Sequence, residues 1–314
     1  MTRTDPGRSI AQVVPAVPSF SVDDGFSYAI PEGMELAVGS IVRVPLGGRR
    51  VRGYITGIRA GDAARLKEVI RSSSPVPVFD AQILETLRAI AVHYVAPLPV
   101  VLAKSAPPNL PGTPRALKLP PVPDTEESPL PELTARLAAH RHGRSHYLLG
   151  RRPWDDTVAG LAGPLLAAGR SVMVVLPTVA EMETLGDTFE ERFGGRLLRA
   201  SSAHDARAVT AAWSRAARHP GHIVVGTREV AFWPIADLGL AVMVGEGRKG
   251  MKEKSSPTIH AREVVRRRAA VERFGLVLAG SVPTSEIMAS GIPIVRVART
   301  RSWPLVEVVD RNEE

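Results

Sequence analysis

Cysteine is missing from all 314 residues, so neither a disulfide framework nor a thiolate zinc site can form. The eight histidines are scattered without ligand-like pairing, and no metal centre is expected. Long apolar runs are missing too. No stretch approaches the roughly 18–20 apolar residues that span a bilayer, and the opening MTRTDPGRSIAQVV has no charged leader followed by an apolar core. A cytoplasmic chain with no membrane partner is therefore expected. Acidic residues are in deficit, 32 Asp and Glu against 40 Lys and Arg, for a net charge of +8. That balance favours a polyanionic partner such as DNA or RNA; the arginine and alanine enrichment of a high-GC genome would produce it equally well. What is present is ordinary. With 44% hydrophobic residues, 23% charged residues and a mean hydropathy of +0.02, the composition is that of a folded chain long enough for two or three domains.

Over residues 10–71 short apolar runs alternate with turn residues. Ile41, Val42 and Val44, then Val51, Tyr54, Ile55 and Ile58, broken by Gly39, Gly47-Gly48 and Gly57, predict strands of a small barrel or sheet with a hairpin at Gly47-Gly48. Asp80 then caps a predicted helix in which Ile83, Leu84, Leu87, Ile90, Ala91 and Tyr94 recur at helical intervals before Pro97 and Pro99. That helix is expected to pack on the sheet. Between Pro107 and Pro131 nine prolines and almost no apolar periodicity predict an extended linker. Beyond it the runs HYLL, SVMVVLP, RLLRA, HIVVGT, LGLAVMV, LVLAGS and IPIVRV alternate with predicted helices over 157–168, 180–193, 206–218 and 260–273. This is the pattern of a parallel sheet covered on both faces, a doubly wound α/β fold. The expected division is 1–106, a β-rich domain, 107–131, a linker, and 132–314, the α/β domain.

The blocks FSYAIPEGMELAVGSIVRVPLGGRRVRGYITGI, LKEVI, AVHYVAPLPVVL and APPNL follow one another over about a hundred residues. They resemble, in the right order, the 3′-end DNA-binding domain of the primosomal replication-restart helicase (PriA) family. The second half, through SVMVVLPTVAEMETLGDTFEERFGGRL, HIVVGTREVAFWPIADLGLAVMVGEG, PTIHARE and GLVLAGSVPTSE, resembles that family's first RecA-like lobe, of the P-loop NTPase type. The resemblance implies DNA as partner, at forks, single-strand/duplex junctions and 3′ ends, in the cytoplasm at the nucleoid. It also implies other primosome proteins and single-strand binding protein as partners. As cofactors it implies ATP and Mg²⁺. The sequence reaches VEVVDRNEE shortly after the strand that follows the third helicase motif, so the family's second lobe and its cysteine-rich zinc insert are expected to be missing.

The family's ATP chemistry needs a GxTGSGKT cradle, in which glycine amides wrap the phosphates, a lysine neutralises them and a hydroxyl binds Mg²⁺. The stretch at that place is Gly150-Arg151-Arg152-Pro153-Trp154-Asp155-Asp156-Thr157. Gly150 and Thr157 keep its two ends, but the inner glycines and the lysine are gone. Pro153 removes an amide, and Asp155 and Asp156 put two negative charges where a triphosphate would sit. The family's DEEH box reads Gly245-Glu246-Gly247-Arg248, with Glu246 alone remaining, and its SATPS motif reads Gly280-Ser281-Val282-Pro283-Thr284. Three departures in register predict a degenerate nucleotide site, made of Gly150, Thr157 and Glu246, with no cofactor and no catalytic residue.

On the DNA side, Phe26-Ser27-Tyr28 stands where the family has FDY. The resemblance places Ser27 in the pocket for the terminal 3′ nucleotide, where a hydroxyl can bond a base edge or a 3′-OH but brings no charge; Asp24 is close enough in sequence to substitute. Phe26 is a candidate for stacking on a base, and Tyr28 is either part of the pocket or a core aromatic. Gly47 and Lys67 match family positions lining the same pocket, through close backbone approach and phosphate pairing; a turn glycine and a solvated lysine are the plainer readings. Arg49, Arg50 and Arg52 beside the hairpin suit phosphate contact or solubility alone. Thr227-Arg228 matches the family's GTR, where a hydroxyl and a guanidinium can meet a DNA backbone. His260, Arg262, Arg266, Arg267 and Arg268 load one predicted helix with charge, for which a solvated face is the plainer reading.

Three functions stand side by side at this point. The first is a DNA-binding protein of replication restart and primosome assembly that recognises forks or 3′ ends without helicase activity. The second is the family's ATP-dependent 3′-to-5′ helicase, and the third an interaction scaffold that does not touch DNA.

Overall fold

The computed structural model describes residues 9–112, 119–122, 128–139, 145–151, 153–201 and 203–297. Alternation of apolar and polar residues gives the first sheet, built from β1 (Ser9–Pro15), β2 (Phe26–Ala29), β3 (Ile41–Leu46), β4 (Arg49–Ala60) and β5 (Arg71–Ser72). Its strands run in the order β2-β1-β4-β3-β5 and pair antiparallel. The predicted hairpin is there: Gly47 and Gly48 take φ of +54° and +77°, the two consecutive left-handed residues that a tight turn between strands demands. Val42, Val44 and Ile55 point to one face and bury with Tyr28 and Val69. Ile41 and Tyr54 point to the other, where the helix α1 (Ala81–His93) covers them. Asp80 caps α1, its carboxylate accepting the Ile83 amide at 2.8 Å. A short helix α2 (Leu98–Leu102) follows.

The second sheet comes from the near-continuous apolar runs. Its elements are α3 (Pro131–Ala139), β6 (Ser145–Leu149), α4 (Asp155–Ala167), β7 (Ser171–Val175), α5 (Val179–Phe193), β8 (Leu197–Ala200), α6 (Ala206–Arg218), β9 (Ile223–Gly226), β10 (Leu238–Val244), α7 (Ala261–Glu272), β11 (Gly275–Gly280), α8 (Ser285–Ala289) and β12 (Ile294–Arg296). The strand order is β12-β6-β11-β10-β7-β9-β8, every pairing is parallel, and apolar clusters cover both faces. The doubly wound expectation holds. Because β6, β11 and β10 are neighbours, the loops that leave their carboxyl ends meet in one crevice, the usual ligand position of such a sheet.

Two expectations change in detail. Helix α4 begins at Asp155 rather than Thr157, because the two aspartates suit the positive end of a helix dipole. The described parts of the proline-rich stretch lie against the α/β lobe instead of standing clear of it. Proline carbonyls have no local amide to meet, so the Pro120 carbonyl accepts from Arg196 Nε at 2.8 Å, while the Asn109 amide donates to Thr210 Oγ1 at 3.2 Å.

Helix α1 packs on the sheet as expected, and its other side packs on α7. A single apolar cluster therefore runs from Val14, Ile41 and Tyr54 through Leu87 and Ile90 to Val264, Val265 and Phe274. Polar contacts reinforce the junction. The His260 amide donates to the Tyr94 hydroxyl at 3.0 Å, Trp213 Nε1 donates to the Ser105 carbonyl at 2.9 Å, and Lys104 Nζ meets Glu253 at 2.7 Å. Among the described residues no helix is long and apolar enough to cross a membrane, and no group of three or more His, Asp and Glu is placed to hold a metal ion.

Candidate nucleic-acid interface

The first sheet brings several of the sequence's candidates to one edge. Tyr28 on β2 donates its hydroxyl to the Pro45 carbonyl at 3.1 Å, just before the Gly47-Gly48 turn. The Ala29 amide donates to the Lys67 carbonyl at 2.9 Å. Tyr28, the turn and the Lys67 segment thus share one corner. Tyr28 is a core residue, 3% exposed, with its hydroxyl pKa raised by burial. Phe26, two residues earlier on the same face, is 40% exposed at the rim. Ser27 faces the other way, and its hydroxyl donates to Gln12 Oε1 at 3.1 Å, while Gln12 Nε2 donates to the Asp24 carbonyl at 2.6 Å. Gln12 went unnoticed in the sequence, because only the β1–β2 register, which sets Gln12 opposite Ser27, reveals it.

The arginine cluster divides. Leu46 is paired with Arg49, so Arg49 lies on the Val44 and Tyr28 side. Arg50 and Arg52 lie on the opposite face. There Arg52 stands directly across from Arg43 on β3, and Arg43 directly across from Arg71 on β5. Arg50, Arg52 and Arg71 are exposed and Arg43 is partly so; none of the four makes an ion pair among the described residues. Arg43 and Arg71 were not singled out in the sequence. Counting strand parity back from Arg52 would have found Arg43; Arg71 needed the β3–β5 pairing.

In the lobe, Thr227 and Arg228 follow β9, and both are engaged by Glu229. The Thr227 hydroxyl donates to Glu229 Oε2, and Arg228 Nη2 pairs with Oε1 at 3.2 Å. The charges on α7 are not one solvated face. Arg268 is fully buried, donating to the Ala231 and Trp233 carbonyls at 2.8 and 3.0 Å and pairing with Glu272 at 2.6 Å. Arg262 is buried as well, whereas Arg267 is exposed and Arg266 half-buried. The His260 ring caps α7 by accepting the Arg262 amide at 3.1 Å, and burial holds its pKa below the usual histidine value.

The crevice at the carboxyl ends of β6, β10 and β11 holds a cavity of about 440 Å³ lined by Gly150, Trp154, Gly245, Arg248, Ser281 and Thr284. The Gly150 amide donates to the Gly280 carbonyl at 3.0 Å. The indole of Trp154, 7% exposed, stands so close that a Cβ on Gly150 would lie 3.2 Å from it. Thr157 is buried in the first turn of α4, and Asp156 pairs with Arg192. Glu246 is 1% exposed; one oxygen accepts from Arg262 Nη1 at 2.7 Å and the other from the Thr284 amide at 3.0 Å. Arg262 also donates to Thr284 Oγ1 at 2.9 Å. The remnants of the second and third motifs are thus tied to each other. Tyr147 beneath them has its hydroxyl pKa pushed up to about 12, by burial first and then by the Glu246 carboxylate.

The architecture is thus a small antiparallel sheet with an exposed basic corner, fused to a parallel α/β lobe. Residues 12–107 match the 3′DNA-binding domain (3′BD) family of PriA. A probable replication restart protein PriA of Mycobacterium tuberculosis is 27% identical over 284 residues, 85% of this chain and 43% of that protein. The replication restart protein PriA of a Synechocystis species is 32% identical over 166 residues, 49% of this chain and 20% of that one. Over most of its length the chain is thus similar to replication restart proteins PriA, and it spans less than half the length of these relatives. A helicase domain of Pyrococcus furiosus Hef superposes loosely, with a TM-score of 0.37 at 15% identity over 52% of this chain and 37% of that one.

Proposed function

We propose that this protein holds DNA at replication forks and 3′ ends through residues 1–106, and that the lobe over 132–314 serves as a scaffold without ATP-driven unwinding. The observation that carries the reading is the exposed cationic corner within the segment matched to a 3′DNA-binding domain: Phe26 at the rim of the face that also carries Tyr28 and Arg49, the Gly47 turn and the Lys67 segment bonded to that corner and, among the described residues, no carboxylate paired with either cation. In this reading Phe26 offers a stacking surface, the left-handed turn lets the backbone approach, and Arg49 and Lys67 meet phosphate. Ser27 is occupied by Gln12, so grip on the terminal nucleotide is weaker than a carboxylate there would give.

The lobe's crevice does not fit ATP. Its Gly150 amide is already donated, Pro153 has none to give, Trp154 takes up the space above Gly150, and two aspartates open α4. Glu246 has both oxygens engaged by Arg262 and Thr284, so the one acidic residue left of that motif is already committed within the protein rather than to Mg²⁺ through water. The test is a pair of assays on the whole chain. Forked DNA with a free 3′ end at the junction is expected to bind, with affinity falling steeply with salt, and phosphate release from ATP is expected to stay at background whether or not that DNA is present. DNA-stimulated hydrolysis would establish the helicase reading instead, and no binding at low salt would establish the scaffold reading.

A further inference from the structure

Cross-strand neighbours of like charge repel, and a sheet that sets them directly opposite one another loses stability by doing so. The first sheet does this twice in one row, Arg52 opposite Arg43 and Arg43 opposite Arg71, with Arg50 one pleat further along β4 on the same face. No carboxylate answers them among the described residues. The contrast with the adjoining pleat is sharp. One step along the same strands, Ile41 and Tyr54 are buried beneath α1, so the sheet carries apolar residues where it is covered and guanidinium groups as soon as it is not.

We propose that this face, with Arg43, Arg50, Arg52 and Arg71, binds the phosphate backbone of double-stranded DNA. It is separate from the corner where Phe26 and Lys67 lie, because Phe26 is on the Tyr28 face of the sheet and the row is on the other. Strands lie about 4.8 Å apart, so a row across three strands reaches about 10 Å, the axial length over which one strand of a duplex carries about three phosphates at about 3.4 Å of rise each. Sequence-independent capture of single strands relies on aromatic platforms as well as charge. The aromatic side chain next to the row, Tyr54, is 3% exposed and cannot stack. A purely cationic face suits a duplex, whose bases are turned inward, and contacts of this kind fix position without reading sequence.

The inference rests on the DNA-binding reading above, and the experiment separates the two. Binding of a blunt duplex with both 3′ ends blocked is titrated against salt for the parent chain and for three variants: Arg43→Gln with Arg52→Gln, Arg59→Gln with Arg65→Gln as a charge-matched control in the same domain, and Phe26→Ala. The Arg43/Arg52 pair is expected to bind the blocked duplex about tenfold more weakly and to flatten the slope of log affinity against log salt by about 2. The control pair and Phe26→Ala are expected to leave that slope where it is. Because Arg→Gln relieves repulsion at an exposed and a partly exposed position, the unfolding midpoint is expected to hold, and it is measured alongside. Equal losses in the two arginine pairs, an unchanged slope in the Arg43/Arg52 pair, or binding of single strands alone would overturn this inference while leaving the function standing. A parent chain that binds no DNA of any form would overturn both.

Discussion

Between residues 9 and 72 the chain carries eight Lys and Arg, and none of them makes an ion pair among the described residues. In the lobe several cations are answered: Arg199, Arg228, Arg248, Arg262 and Arg268 each hold a carboxylate. The two regions share a chain and an overall positive charge, yet one leaves its cations without carboxylate partners and the other builds several of them into its own structure. An excess of arginine is therefore no single signal. What matters for a polyanion is how many of the charges the fold has left unanswered.

The contrast can be broken most severely at Glu246. Replacing it by Ala takes from the buried Arg262 guanidinium one of its two carboxylates, Glu263 at 2.9 Å being the other, and a loss of about 3 kcal/mol in stability is expected, read from urea unfolding. A loss under about 1 kcal/mol would mean that the lobe's pairing is ornamental and that the two regions are alike. A second break comes from acid. His222 is fully buried and its pKa is lowered to about 4 from 6.5, chiefly by burial. The folded state thus favours the neutral ring, so the stability it contributes is full above pH 6.5 and declines as pH falls from 6.5 to 4, by up to about 3 kcal/mol. His222→Asn is expected to flatten that decline. A parent chain whose unfolding midpoint is level from pH 7 to 5 would contradict it. The first sheet, with no histidine in residues 9–72, has no matching response.

Two smaller changes sharpen the comparison from the other side. Tyr28→Phe removes the bond to the Pro45 carbonyl and is expected to cost about 1 kcal/mol, marking Tyr28 as framework beneath the corner proposed to meet DNA; a DNA affinity that falls tenfold with no change in stability would put Tyr28 in contact with ligand instead. Arg52→Gln is expected to shift stability by less than about 0.5 kcal/mol, and towards greater stability, because it relieves the repulsion from Arg43. A destabilisation of 1 kcal/mol or more would show that this arginine, too, belongs to the architecture.

Much of this fold was legible beforehand for local reasons. Gly47-Gly48 specifies its turn by conformational freedom alone, Asp80 announces a helix start through a bond three residues away, and continuous apolar strands between amphipathic helices leave a parallel sheet as the natural solution. At 150–157, 246 and 280–284 the sequence was equally legible as departing from the motifs it resembles. Their replacement was not: that Glu246 reaches both Arg262 and Thr284, or that Trp154 stands over Gly150, depends on three loops arriving at one crevice from distant parts of the sequence. The same holds for the basic residues of α7. Spacing alone suggested a wet face, but Arg268 reaches backbone carbonyls at the end of a different segment. In the first sheet the cluster of Arg49, Arg50 and Arg52 looked like one patch because sequence proximity ignores the two-residue alternation that sends Arg49 to one face and its neighbours to the other.

The apolar cluster that α1 shares with α7 bears on inheritance. A lobe whose crevice is tied off from within would be easy to lose if it were only an appendage. Here it cannot be discarded cleanly, since removing it would bare the side of α1 that rests on α7, together with the Trp213 contact to Ser105 and the His260 contact to Tyr94. A chain cut after residue 107 would present that apolar side of α1 to water, so the first sheet and its helix depend on the lobe for a finished surface.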